Sequence, residues 1–336
     1  MTSKSAKRAA MLAGGTALAA LMAGGAATAQ EFTMRLAHHY PTTHVQGQGY
    51  EYFVERVAEL SDGRIETITY PAGSLINGLE SFEGVRSGTV EASNMIGSFQ
   101  VGDLPELDAF MLPFQFDDAA HFRRALDAGL FEIIQAQYEE QGIRILNYFH
   151  KGNIHVFHTD HHLMTPADFE GEDIRGLGGY LTRTLEALGA SAVTLGTGEV
   201  SAALERGVID GVMTNCQGHF SRGWGESAAY VSYLDLAQSG EGLGVNLEWW
   251  NSLPPDLQEV VQQAADEMED MEWDLVITAD EVDCFELWDE AGFEVQQATP
   301  EQRTALREAV QPLYEEAAAS FETLPAIMDL VEETRE

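Results

Sequence analysis

Lysine is nearly missing from this chain. It occurs only at Lys4, Lys7 and Lys151, and arginine supplies the remainder of 18 cations against 55 carboxylates, a formal charge of −37 over 336 residues. That balance excludes nucleic-acid binding and docking on an anionic lipid surface, both of which need basic patches. Cysteine is limited to Cys216 and Cys284. Nothing local pairs them, so a disulfide and two buried thiols both remain open. A catalytic cysteine needs a neighbouring base, and only His219 lies near Cys216. The chain has no G-x-x-x-x-G-K-[ST] loop, no G-x-S-x-G elbow, no H-E-x-x-H and no C-x-x-C. No enzymatic activity, metal or cofactor is therefore expected. After the first 29 residues, no stretch is apolar and long enough to span a bilayer.

What is present begins with an address. Lys4, Lys7 and Arg8 precede an uncharged Ala/Gly/Leu run and the sequence Ala27-Thr28-Ala29, the pattern of a secretory signal cleaved after Ala29. Residues 1–29 are read as a signal peptide, which places the mature protein in the periplasm. Removing its three cations leaves 15 against 55 carboxylates, a net −40, with Lys151 as the single lysine. Repulsion at that density is screened in brine and stronger in dilute buffer, so the composition suggests a salt-adapted protein. Residues 254–336 hold 24 of the carboxylates and three arginines, and read as solvated helical faces.

A hydrophobic content of 45% supports a sizeable core. Strand-like and helical runs alternate. Thr33–Tyr40, Arg64–Tyr70 and Ala92–Ile96 read as strands separated by helices, the first with Tyr50, Phe53, Val54, Val57 and Leu60 at helical spacing. The rhythm resumes at Ile143–His150, Ile154–Thr159, Asp173–Leu177, Ala192–Leu195 and Val208–Met213. Repeated βαβ units predict parallel sheets. From Asp256 to Ala291 there is neither Gly nor Pro, which predicts one long helix across both units or two helices broken near Ala279. Later breaks are expected at Pro312 and Pro325. Histidines His38, His39, His44, His150, His155, His158, His161 and His162 do not fall on one face at ligand spacing. A secreted α/β chain of two lobes without a catalytic constellation fits a protein that captures a solute by hinge closure.

Several motifs sharpen this. Asp168-Phe169-Glu170-Gly171-Glu172-Asp173-Ile174-Arg175 resembles the D-L-K-G-L-K-I-R signature of the periplasmic solute-binding proteins of TRAP transporters (DctP type). Leu36-Ala37-His38, Tyr70-Pro71-Ala72-Gly73-Ser74-Leu75, Leu112-Pro113-Phe114, Leu188-Gly189-Ala190, Gly198-Glu199-Val200, Ala203–Gly211, and Asn246 with Trp250–Pro254 follow in the family's order. The resemblance covers essentially the whole mature chain. It implies an α/β periplasmic binding protein of the Venus-flytrap type, with a long helix spanning both lobes. Lobe I would comprise residues 30–151 plus about 240–280, and lobe II residues 152–239 plus about 281–336. It also implies a small-molecule ligand and the membrane subunits of an ion-driven importer as partners.

In the family the Arg of K-I-R fixes a ligand carboxylate, which makes Arg175 the principal binding candidate; a guanidinium matches both carboxylate oxygens. The family's second Arg is replaced here by Ile154, and its ligand-contacting Asn by Thr214, followed by Asn215. Lys151 and His155 are candidate substitutes for the lost charge, and Phe220 a candidate wall. His39, Tyr40, Asn77, Met95 and Ser98 lie at strand ends or in the following loops, where the first lobe should face the cleft. The expected ligand is a small organic carboxylate. A zwitterionic osmolyte or polyol, or service in an ABC-type importer, are the alternatives. The sequence leaves monomer and dimer open.

Overall fold

The computed structural model describes residues 30–335; the proposed signal segment lies outside them. Two sheets form the two lobes. The first has the order β2-β1-β3-β10-β4, and the second β11-β9-β5-β8-β6-β7. In the first, β1 (Phe32–Ala37), β2 (Ile65–Tyr70) and β3 (Ala92–Ile96) run parallel, while β10 (Gln238–Asn246) is antiparallel to both β3 and β4 (Ile143–Asn153). In the second, β6 (Asp173–Arg175), β7 (Ser191–Val193) and β8 (Gly211–Thr214) are parallel. There β5 (His155–His158) is antiparallel to β8 and to β9 (Tyr230–Tyr233), and β11 (Glu294–Gln297) closes the edge parallel to β9.

The sheets are thus mixed, not wholly parallel as the βαβ rhythm suggested. The chain crosses between lobes at Ile154 and again between β9 and β10. β5 and β10, each the first strand after such a crossing, run against their new neighbours.

Local sequence explains most elements. The helix Val45–Leu60 buries Tyr50, Phe53, Val54 and Val57, one apolar stripe, and ends at Ser61 with Asp62 and Gly63 at positive φ. β3 and β10 are buried along their whole length, as befits central strands. In β10, Gly240, Gly242 and Gly244 alternate on one face. A Cβ there would collide with Tyr148, with the Asn147 carbonyl at 2.7 Å and with Met95 at 2.6 Å respectively, so neighbouring side chains fill the glycine face.

The long helical stretch reconciles both sequence expectations. Helix Pro255–Ile277 continues through a π-helical segment, Thr278–Asp283, into helix Cys284–Ala291. The first part buries Leu257, Val261, Ala264, Met268 and Trp273 against the first lobe; the last buries Cys284 and Trp288 in the second. Each residue of an α-helix turns the stripe by about 100°, so a wider turn between the lobes re-aims the buried face without breaking the rod.

The break expected at Pro312 does not occur. Helix Pro300–Ser320 runs through it, because the carbonyl that loses its donor belongs to exposed Glu308 while Leu306, Val310, Leu313 and Ala317 stay buried. Pro325 sits in the first turn of helix Leu324–Glu333, where proline is tolerated. Pro300–Ser320 packs on helix Gly179–Leu188 of the second lobe, whereas Leu324–Glu333 packs on Ala119–Ala125 of the first. Cys216 and Cys284 form a disulfide with Cα atoms 6.2 Å apart, tying the start of helix Cys216–Ser221 to the long rod.

Candidate ligand-binding cleft

The parallel strands aim their C-terminal ends at the junction of the lobes, where α/β sheets place ligands. Arg175 ends β6 and pairs with Val212 of β8, whose last residue is Thr214, so the two come to neighbouring strand tips. From the first lobe, His38, His39 and Tyr40 follow β1, and Lys151 lies near the end of β4.

Arg175 is only 4% exposed, and no ion pair engages it among the described residues. Its Nε reaches the Leu195 carbonyl at a long 3.4 Å. Burial, then the nearby Arg222, lower its pKa to about 10. Arg222 is itself depressed by burial, with Tyr40 the one opposing influence. Both guanidinium carbons lie over the ring of buried Trp224, at 5.9 Å for Arg175 and 5.4 Å for Arg222. A Cβ on Gly218 would stand 2.6 Å from Thr214 Oγ1 and 3.3 Å from Arg222 Nη1, so those two polar groups converge on the bare glycine.

The first lobe answers with neutral imidazoles. His39 is lowered to about 3 by burial, then by Lys151 and Arg222; His44 is lowered to about 3 by burial, then by Arg222 and Lys151. The Asn94 amide lies 3.0 Å from His39 Nδ1, which assigns that nitrogen as the acceptor and leaves its Nε2–H free to donate. Tyr40 and Tyr50 donate their hydroxyls to the buried Glu241 carboxylate, Tyr50 at 2.5 Å. Burial raises the pKa of Glu241, and Lys151 is the first influence opposing it. The rings of His38 and His44 lie against Tyr50 and Tyr40, with centroids 4.9 and 4.7 Å apart.

The other sequence candidates have local duties. Asn215 caps helix Cys216–Ser221 by accepting the Gly218 N–H at 2.9 Å and donates to the Lys151 carbonyl, so it links the hinge to that helix. His155 is fully buried and stacks on Tyr233 at 4.1 Å. Met95 packs in the first-lobe core, where its sulfur accepts from Gln100. Asn77 is exposed and accepts the Leu79 N–H at 2.9 Å in a turn. Phe220 faces Phe293 at 5.9 Å and lines an apolar groove with Gly223, Gly225 and Ala229. The wall beside Arg175 is Trp224. The Ser98 carbonyl meets Gly178 across the lobes, where a Cβ would lie 3.0 Å from it.

His158, His161 and Glu172 gather their polar atoms within 4.8 Å of one another. His158 Nδ1 accepts the N–H groups of Asp160 and His161, both at 3.2 Å, so its proton sits on Nε2 and is donated to Glu172 at 2.9 Å. A protonated Nε2 offers a metal no lone pair. The cluster reads as a hydrogen-bonded clip at the edge of the second lobe.

Arg222 is the residue that sequence reasoning missed. It follows helix Cys216–Ser221 as its C-terminal cap, within no motif that marks a binding residue, and Gly223 after it takes φ 68°. The scarcity of cations was the available clue.

The comparisons follow this geometry. The family model of bacterial extracellular solute-binding proteins, family 7 (DctP), matches residues 36–320. The C4-dicarboxylate-binding periplasmic protein DctP of Rhodobacter capsulatus is 24% identical over 320 residues, covering 94% of this chain and 96% of that protein. A solute-binding protein of Chromohalobacter salexigens is 25% identical over 316 residues, covering 92% and 91% respectively. A TRAP periplasmic solute-binding protein of Roseobacter denitrificans with bound β-D-glucuronate superposes with a TM-score of 0.85 at 25% identity, over 90% of this chain and 100% of the other. The match along the chain, the two lobes and the buried arginine at their junction agree: this chain belongs to the DctP family of bacterial extracellular solute-binding proteins, the solute receptors of TRAP transporters.

Proposed function

We propose that the chain is exported, cleaved after Ala29, and serves in the periplasm as the receptor that presents a small organic acid to the membrane subunits of a TRAP-type importer. The observation that carries the ligand class is Arg175, a buried guanidinium at a strand tip between the lobes with no carboxylate partner among the described residues. In a protein with such an excess of negative charge, anions are repelled at long range, and a desolvated cation supplies the local attraction. Thr214, His39 and Lys151 are the neighbouring groups we assign to the same pocket, and the family relatives whose names specify a dicarboxylate or a sugar acid support the choice.

A thermal-shift screen of organic acids, osmolytes and neutral sugars in high salt tests this. A ligand at one hundred times its Kd stabilises the liganded state by about 2.7 kcal/mol. An organic acid should give the largest shift, without turnover. A shift from neutral polyols or osmolytes alone would overturn the carboxylate assignment. Mass spectrometry of the exported protein should find Gln30 at its N-terminus.

A further inference from the structure

Two arginines, not one, stand in the cleft without an acidic partner among the described residues. Arg175 comes from the tip of β6 and Arg222 from the end of helix Cys216–Ser221, and both rest against the Trp224 ring. Neither forms an ion pair among the described residues. The charge that acts on Arg175 is that of Arg222, and Arg222 has the hydroxyl of neutral Tyr40 beside it. The third cation is differently placed. Lys151 acts on the buried Glu241, which also accepts from Tyr40 and Tyr50, so that positive charge already has a negative counterpart. Among the described residues, the cleft is left with two positive charges that no carboxylate pairs.

We propose, resting on the organic-acid reading above, that Arg222 is a second anchor for the solute and that the solute carries two negative charges. A monoanion held by Arg175 would leave the half-buried Arg222, hydrogen-bonded to the Gly218 carbonyl, without a counter-ion, an arrangement that closure of the lobes makes costly. A dianion compensates both. Trp224 holds each guanidinium through its ring face and so fixes their directions before the solute arrives. The neutral His39 and His44 opposite add hydrogen-bonding capacity without adding charge. Arg222 thereby takes over the role of the charge that Ile154 does not provide, from another element of the fold.

Isothermal calorimetry on the mature protein with matched acids tests this: succinate against butyrate, and glucarate against gluconate. The wild type should bind a dicarboxylate at least tenfold more tightly than its monocarboxylate partner. Arg222→Gln should lower dicarboxylate affinity at least tenfold and abolish that preference, and Arg222→Lys should restore part of it. Melting of the unliganded variants checks that both fold. A preferred monocarboxylate, or Arg222→Gln binding within twofold of wild type, overturns the inference and leaves the organic-acid reading standing. Failure of every acid in the panel, with an osmolyte or sugar binding instead, overturns both.

Discussion

Asp108 of the first lobe accepts the backbone N–H of Tyr180 in the second through both carboxylate oxygens, at 2.8 and 3.0 Å. Tyr180 lies in the first turn of helix Gly179–Leu188, so a side chain of one lobe caps a helix of the other. The approach needs bare backbone: a Cβ on Gly179 would overlap the carboxylate, and Gly178 and Gly179 both take positive φ. Burial raises the Asp108 pKa to about 6, against the pull of Tyr180 and Arg183.

That contact exists only with the lobes together. A cap is worth about 0.5–2 kcal/mol, so Asp108→Ala should weaken solute affinity about two- to thirtyfold, while Asp108→Asn, which keeps an acceptor, should lose less. Calorimetry with the best acid from the screen measures it. Equal affinity in Asp108→Ala and wild type would mean that the contact does not favour closure.

Arg175→Ala should lower affinity for that acid at least about tenfold, the loss of one charge-assisted contact. Circular dichroism should show the fold unchanged, since among the described residues the guanidinium makes one long hydrogen bond. Retained affinity would remove Arg175 from the site.

Stability should fall on acidification. Burial lowers His39, His44 and His150 to about 3, and His38, His155 and His219 to about 4. An unfolded histidine titrates near about 6.5. Their contribution is therefore present above about 6.5 and is lost as pH falls toward the folded values. Asp108 at about 6, Glu269 at about 7, and the raised Glu241 and Glu272 act in the opposite sense. The histidines thus predict a lower urea midpoint in 2 M NaCl at pH 5 than at pH 7.5, with the carboxylates reducing the difference; an equal or higher midpoint at pH 5 would show that the carboxylates dominate.

Salt should stabilise the protein. The Debye length shrinks from about 8 Å at physiological ionic strength to about 3 Å at 1 M, which screens the carboxylate excess. The melting temperature should rise between 0.05 and 2 M NaCl; a fall would refute the salt-adaptation reading.

The disulfide closes a separation of 68 residues and joins the rod to the helix that carries Arg222. Replacing both cysteines by serine should cost about 2–4 kcal/mol in denaturant titrations. An equal loss in wild type treated with reductant would confirm that the bond, and not the serines, is responsible.

How much of this was legible depended on range. β1 and helix Val45–Leu60 showed in hydrophobic period because each buries one face along its own length. β10 did not. Its alternate glycines carry no side chain for a pattern to register, and the face they leave is filled by Tyr148 and Met95 from adjacent strands. Proline at 312 misled because a local rule was outweighed by burial of the helix on its far side.

By itself the sequence determined the two-lobed α/β architecture and the family, because those rest on local periodicity and on contiguous motifs. Only the tertiary structure decided that Cys216 meets Cys284, that Asp108 caps the helix of the opposite lobe, and that Arg222 shares Trp224 with Arg175. Each of those joins segments distant in sequence or turns on where a helix stops, and neither is encoded in the spacing of neighbouring residues.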